Sequence, residues 1–375
     1  MTTAVHLPAY GEASLCEILP SVLGALGVPG EHNVFGLPSA SGYCVVVIDG
    51  LGWNLLRAHP AQAPFLASLD GRPITATTPS TTATSLTSLG TGLAPGRHGV
   101  LGYTTRIPGG DSLFNALRWE PALDPSVYQP NPSVFDRAVS AGVATTVLGE
   151  GRFRDSGLTA VALHGPFRSA NSYGERVAAA VAAVDPRAGR ATSTLVYAYD
   201  SDLDYTGHVH GCASAAWRYQ LGIVDRFIEE LADALPPETT LVVTGDHGMV
   251  DIPADRRIDA DQRPDLQAGV TLLGGEARFR HVYTAPGATA DVAAAWREVL
   301  GDRAAVRVRE EAVAEGWFGA LDMGNGERIG DVVAAMVGDT AVEVPSVFPK
   351  EARLVGLHGG LSADEMLVPL LIQAP

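Results

Sequence analysis

The sequence predicts an α/β fold: a mainly parallel central sheet sandwiched by helices, with a small α+β insertion or cap. Three observations carry this prediction. Tyr43–Asp49 (YCVVVID), Thr194–Tyr199 (TLVYAY) and Thr240–Val243 (TLVV) are short apolar runs of the kind that form strands covered on both faces. Between the last two lies Ala213–Leu235, where Trp217, Leu221, Val224, Phe227, Ile228 and Leu231 recur at helical spacing. Finally, 375 residues with 46% hydrophobic and 18% charged side chains supply a sizeable core and exclude wholesale disorder.

Taken in order, the chain opens with a short apolar helix candidate, Ala13–Leu26, a lead-in packed on the core. The strand Tyr43–Asp49 follows, then helices near Trp53–Ala58 and Ala61–Leu69. Thr75–Gly92 (TATTPSTTATSLTSLGTG) joins an extended segment to a helix start, with Pro79 at the junction suited to a first helical turn. Gly92–Gly110 is rich in turn residues and should loop over the sheet edge. Ser133–Gly142 reads as helix, Ala144–Leu148 as strand, Thr159–Leu163 as a weaker strand and Arg176–Val184 as an Ala-rich helix. After Thr240–Val243 the texture changes. Short strands (Arg278–Tyr283, Ala305–Val308) alternate with helices (Asp291–Leu300, Glu310–Glu315), which sets 252–345 apart as an insertion in a core formed by 1–251 and 346–375. Arg353–Leu357 reads as a further strand and Met366–Ile372 closes the chain.

The net charge is −16, with no lysine- or arginine-rich run, which argues against nucleic acid or an anionic membrane as partner. Three cysteines without CxxC spacing give neither a disulfide framework nor a zinc knuckle. The segment MTTAVHLPAY lacks the pattern of a secretory signal, and no apolar stretch has the length of a membrane span. The expectation is a soluble, cytoplasmic protein; oligomeric state is not legible.

Several strand ends carry metal-ligand side chains. Asp49 follows VVVI, Asp246 and His247 follow LVVTG, His358 follows RLVGL, and Asp204 with His208 lies just beyond TLVYAY. In a parallel sheet such ends face one edge, where open α/β folds place their sites. Singly, each has a plain structural reading: a turn Asp, a helix cap, an i, i+4 pair, a turn His. Together they exceed what one tetrahedral ion requires, and Asp with neutral His suits zinc and similar divalent ions. Two ions side by side would use them all in a phosphoryl displacement. The hydroxyls of Thr75–Gly92, taken alone, read first as helix caps and second as a source of a nucleophile at a helix N-terminus that faces an anion.

The pieces VVVIDGLG, PSTTATSLTSLGTGLAPGRHGVLGY, DYTGH, TGDHGM and GLHGG resemble the alkaline phosphatase superfamily, most closely its nucleotide pyrophosphatase/phosphodiesterase branch, in that family's order. The resemblance implies an alkaline phosphatase-like core and two zinc ions, with other divalent metals such as manganese as substitutes. Asp204, His208 and His358 would hold one ion. Asp49, Asp246 and His247 would hold the other, with the oxygen of Thr82 as a further ligand. Counting back from Thr91–Leu93 places the nucleophile at Thr82. Attack there would give a phospho-threonine intermediate, since a metal-stabilised alkoxide replaces the missing base.

Members of this branch carry an Asn shortly after HG that binds a phosphate oxygen; Tyr103 stands here. Candidate substrate contacts are therefore Tyr103, Arg106, Asn115 and Arg118, together with the Thr82 N–H; His210 is a bystander. The resemblance implies a hydrolase of phosphoric esters acting on a small phosphate-ester or nucleotide-like substrate, a phosphodiesterase or pyrophosphatase. The alternatives are a phosphomonoesterase, a phosphonate hydrolase, or a metal-binding scaffold that kept the fold.

Overall fold

The computed structural model describes residues 5–184 and 193–375. Its centre is a seven-stranded sheet built from β1 (Gly42–Ile48), β2 (Asp70–Thr75), β3 (Ala144–Gly149), β4 (Phe167–Ser169), β5 (Thr194–Asp200), β6 (Thr239–Thr244) and β7 (Leu367–Gln373). The spatial order is β2-β7-β6-β1-β5-β3-β4. β1 lies parallel to both β5 and β6, and β3 parallel to β4 and β5. β7 runs against its neighbours β2 and β6, which completes a mainly parallel sheet.

Every residue of β1 is buried, as its unbroken apolarity requires. Alternation then divides it: Tyr43, Val45 and Val47 pack into one core cluster, while Cys44, Val46 and Ile48 pack into a second on the opposite face. The second cluster is covered by α3 (Tyr173–Val184) and α5 (Ala215–Ala234), the helix whose stripe was plain in the sequence. The first is covered by α1 (Thr82–Thr91) and α2 (Gly157–Ala162). Helix α4 (Asp202–His210) follows β5 directly.

A separate antiparallel sheet has the order Val270–Glu276, Phe279–Thr284, Val332–Met336, Ala304–Val308, and packs on the helix Thr289–Leu300 through Trp296 and Leu300. Among the described residues no helix is long and apolar enough to cross a membrane.

Three local expectations are corrected. Thr159–Leu163 is not a strand; the segment lies in and beyond α2, whose N-terminus is capped by the Ser156 side chain on the Thr159 N–H, and the strand comes later at Phe167–Ser169. Arg353–Leu357 is a 3-10 turn (Glu351–Arg353) followed by a two-residue strand, Gly356–Leu357, which pairs with Val250–Asp251 outside the central sheet. Pro79 is not in the first helical turn, because α1 begins three residues later at Thr82.

Candidate active site

Helix α1 is unusual in being hydroxyl-rich and buried along its whole length. Burying hydroxyls is costly unless they are bonded. Here the Thr87 hydroxyl donates to the Ala83 carbonyl at 2.7 Å and Thr91 to that of Thr87 at 2.7 Å, while Ser88 pairs with His98 at 2.8 Å and Thr77 with Ser85 at 3.2 Å. Ser80 donates to the Gly360 carbonyl. The N-cap residue, Thr81, does not cap the helix; its hydroxyl donates to Glu276 at 3.1 Å. Thr82 is different. Its Oγ1 lies 3.2 Å from His247 Nε2, at the end of the sheet.

The ligand-type side chains converge on that spot. Asp49 and Asp246 lie just past the ends of β1 and β6, which are neighbours in the sheet, while Asp204 and His208 share one face of α4. His358 follows the short strand Gly356–Leu357 and stacks on His247, with ring centroids 3.7 Å apart. Donor atoms of Asp204, His208 and His358 lie within 4.8 Å of one another, as do those of Asp49, Asp204 and His247. Asp246 Oδ2 lies 3.6 Å from His247 Nε2, which closes the second group. Gly50 sits at φ +74°, and a Cβ there would stand 3.1 Å from Asp204, so glycine lets β1 end against α4.

Each imidazole is oriented the same way. Nδ1 of His208 faces the Gly356 carbonyl at 2.7 Å, Nδ1 of His247 that of Gly248 at 2.9 Å, and Nδ1 of His358 that of Ser80 at 3.0 Å. A proton held on Nδ1 by a carbonyl leaves Nε2 as a lone pair, the arrangement of metal-ligating histidines. The carboxylates match. Asp246 Oδ1 accepts from the N–H groups of Gly50 and His247, and Asp49 Oδ2 accepts from the Tyr199 hydroxyl. Asp49 Oδ1, Asp204 Oδ1 and Asp246 Oδ2 are buried with no hydrogen-bond partner. Burial, then the Asp204 and Asp246 charges, push the Asp49 carboxyl well above the usual range; burial does the same for Asp246. Burial and the adjoining His247 and His208 hold His358 well below an ordinary histidine. Three orphaned carboxylate oxygens and three Nε2 atoms turned away from the backbone carbonyls are a donor set suited to divalent cations, and zinc accepts both kinds.

A cavity of about 470 Å³ opens over this cluster. Tyr103 lines it. Arg106, Asn115 and Arg118 do not: Arg106 lies over the Tyr283 ring, the Asn115 side chain holds the N–H groups of Leu117 and Arg118, and Arg118 is exposed. His210 is also exposed and outside it. Tyr199 and Glu276 are among the cavity residues that the sequence does not single out. Tyr199 was signalled only by alternation in TLVYAY, which puts it on one face with Tyr197; Glu276 sits at a strand end in GGEAR with nothing to mark it. Glu276 is buried and lies 3.6 Å from His358, with Oε1 unpartnered; burial and then Glu351 push its carboxyl well up.

Residues 43–361 match the family model described as type I phosphodiesterase / nucleotide pyrophosphatase. A sequence comparison with curated proteins returns no match. Among solved structures, murine ectonucleotide pyrophosphatase / phosphodiesterase 5 superposes with a TM-score of 0.69 at 21% identity, over 89% of this chain and 88% of its own. An inactive threonine-to-alanine variant of that murine protein in complex with AMP gives 0.70 at 20%, over 89% and 88%. Phosphonoacetate hydrolase from Sinorhizobium meliloti in complex with phosphonoformate gives 0.67 at 19%, over 90% and 91%. These likenesses establish a shared fold. With the family match covering most of its length, the chain belongs to the type I phosphodiesterase / nucleotide pyrophosphatase family.

Proposed function

We propose that this protein hydrolyses phosphodiester or phosphoanhydride bonds through a covalent phospho-threonine at Thr82, with two divalent ions, zinc by preference, at the six-residue cluster. The observation that carries this reading is the common orientation of the three imidazoles around the orphaned carboxylate oxygens, with the Thr82 hydroxyl 3.2 Å from one of them. Asp204, His208 and His358 would hold one ion; Asp49, Asp246 and His247, with Thr82, the other. Bound there, such ions supply Lewis acidity that favours the threonine alkoxide and stabilises the departing oxygen.

The chain's own residues do the rest. Thr82 Oγ1 loses its proton to solvent and forms a bond to phosphorus as the ester oxygen leaves; water then cleaves that bond and restores the hydroxyl. Because no side chain caps α1, N–H groups of its first turn are available to the phosphoryl oxygens, and the helix dipole favours the anion. Tyr199 holds Asp49 in place through its hydroxyl. The segment 252–345, which we regard as an insertion, contributes Glu276 to the cavity wall beside Thr81.

The likeness to phosphonoacetate hydrolase favours a second reading, cleavage of a phosphonate at the same cluster. Zinc-loaded protein assayed on bis-(4-nitrophenyl) phosphate, 4-nitrophenyl phosphate and phosphonoacetate separates the two, the diester being expected to show the highest kcat/KM. Phosphonoacetate as the best substrate would install the second reading, and no turnover of any of the three would overturn both.

A further inference from the structure

We propose that Lys350 is a specificity-determining residue, which pairs with a second anionic group, carboxylate or phosphate, carried by the substrate beyond the phosphorus that reacts. This inference rests on the function proposed above and names the class of substrate arm that the site selects.

Of the 26 lysine and arginine side chains in the chain, one is lysine, and it lines the cavity over the ligand cluster. Elsewhere the chain uses arginine where a cation is paired and buried, as in Arg278 on Glu365 and Arg280 on Glu351. The planar guanidinium fork suits such fixed pairs, whereas an ammonium is a compact charge on a flexible stem that can follow a ligand. The base of that stem is held. The Glu351 N–H donates to the Phe348 carbonyl and the Arg353 N–H to the Lys350 carbonyl, each at 3.1 Å, and Arg280 lies over the Phe348 ring while it pairs with Glu351. Lys350 therefore stands on a fastened turn that also supplies Leu354 to the cavity wall.

An exposed lysine is ordinarily a solvated surface charge. Charge accounting on the lining sets this one apart. The other cation there, Arg152, is spent on Glu150 at 2.9 Å and lies over the Phe153 ring. The carboxyl side chains on the lining are Asp49, Asp204, Glu276 and Glu351. Two ions at the cluster would take up the first two, Arg280 takes up Glu351, and Glu276 accepts from Thr81. Lys350 is exposed and, among the described residues, has no ion-pair partner. In a protein of net charge −16, an anionic arm is repelled from most of the surface, and this ammonium is where it can settle. A neutral arm gains nothing there.

The test uses zinc-loaded protein and three esters with one leaving group: pentyl, 4-carboxybutyl and 4-phosphonobutyl 4-nitrophenyl phosphate. In the wild type the better charged arm should exceed the pentyl ester about tenfold in kcat/KM, mainly through KM, and the order of the two charged arms identifies the anion. Lys350→Met should erase that advantage and Lys350→Arg should keep most of it. An advantage that survives Lys350→Met would overturn the proposal, as would a Lys350→Met loss shared equally by the pentyl ester, the mark of general anion steering. Because the chain has one lysine, its modification gives a second readout. Dimethylation of Lys350 by formaldehyde and borohydride, followed by mass spectrometry, should slow at least fivefold with saturating 5-phosphonopentanoate and hardly at all with pentylphosphonate. Equal protection by the two, or none, would overturn the proposal. Turnover of the pentyl ester without a charged-arm advantage refutes the role of Lys350 and leaves the hydrolase reading standing. Selective protection with no turnover of any ester does the reverse.

Discussion

Removal of the ions gives the sharpest test of the proposed cluster, because the structure sets both sign and size. Donor oxygens of Asp49 and Asp204 lie within 4.8 Å of each other, and each residue keeps a buried oxygen without a partner. Two unit charges that close repel by about 3.5 kcal/mol or more at an effective dielectric near 20. Metal-free protein must bear this repulsion or take up protons. Ions present at about 1,000 times their dissociation constant would stabilise the fold by about 4 kcal/mol per site. For 375 residues the unfolding entropy is about 0.8 kcal/mol per degree, so each site should raise Tm by about 5 °C. The assay is scanning calorimetry of chelator-stripped protein at pH 8, before and after zinc. We expect a rise of about 10 °C on loading. Asp49→Asn should act oppositely in the two states, raising the stripped Tm by about 4 °C while abolishing about half of the zinc increment. A zinc increment of zero in the wild type, or an Asn variant that melts lower when stripped, would refute the reasoning.

Thr82→Ala should reduce diester turnover at least a thousandfold while keeping most of the zinc-dependent rise in Tm, measured by stopped assays and calorimetry on one preparation. His281 is buried, with Nε2 on the Leu101 carbonyl and Nδ1 accepting the Gly330 N–H, and burial lowers it to about 4. Its unfolded value is near 6.5, so the unfolded chain binds the proton first. The stability it contributes is complete above pH 6.5 and falls by about 3 kcal/mol as pH drops to 4. Urea melts of stripped protein at pH 7 and 4.5 should show this loss, and His281→Gln should flatten it. Gly90→Ala would drive a methyl into the Ala162 carbonyl at 1.7 Å and should cost about 3 kcal/mol, read from the same melts.

The architecture was legible because its strands are buried on both faces and bounded by Gly and Asp. Strand β1, for instance, reads as strand from Tyr43 to Ile48 and is buried at every position. The convergence of Asp49, Asp246 and His247 was legible for a related reason, since side chains at the ends of parallel strands face one edge; Asp204 and His208 come from helix α4, and His358 follows a short strand outside the central sheet. What stayed hidden depends on packing between distant segments. Glu276 approaches Thr81 across 195 positions, and nothing near it in sequence records that approach. Arg106 and Asn115 looked suited to a phosphate by residue type alone, yet one lies on the Tyr283 ring and the other caps its own loop. Thr159–Leu163 is not the strand expected of it because the Ser156 side chain, outside those five residues, caps the Thr159 N–H and starts a helix there.

Charge balance extends the proposed function to a preference among esters. On that proposal, three ligand carboxylates against two divalent ions would leave the cluster, while Thr82 keeps its proton, about one positive charge, to which the N-terminus of α1 adds roughly half a charge. A phosphodiester carries one negative charge and a phosphomonoester close to two, so the cluster neutralises the diester and falls short for the monoester. Glu276, beside Thr81 on the cavity wall, deepens the shortfall whenever it is ionised. Glu276→Gln should therefore raise the monoester-to-diester ratio of kcat/KM, by roughly tenfold if the carboxylate acts on the extra phosphate charge near 10 Å at an effective dielectric near 20. The variant keeps an acceptor for the Thr81 hydroxyl, so α1 should hold its place and diester turnover should change less. Parallel assays on the two 4-nitrophenyl esters at pH 8 measure the ratio, and a ratio that is unchanged or lower would show that the wall does not select by charge.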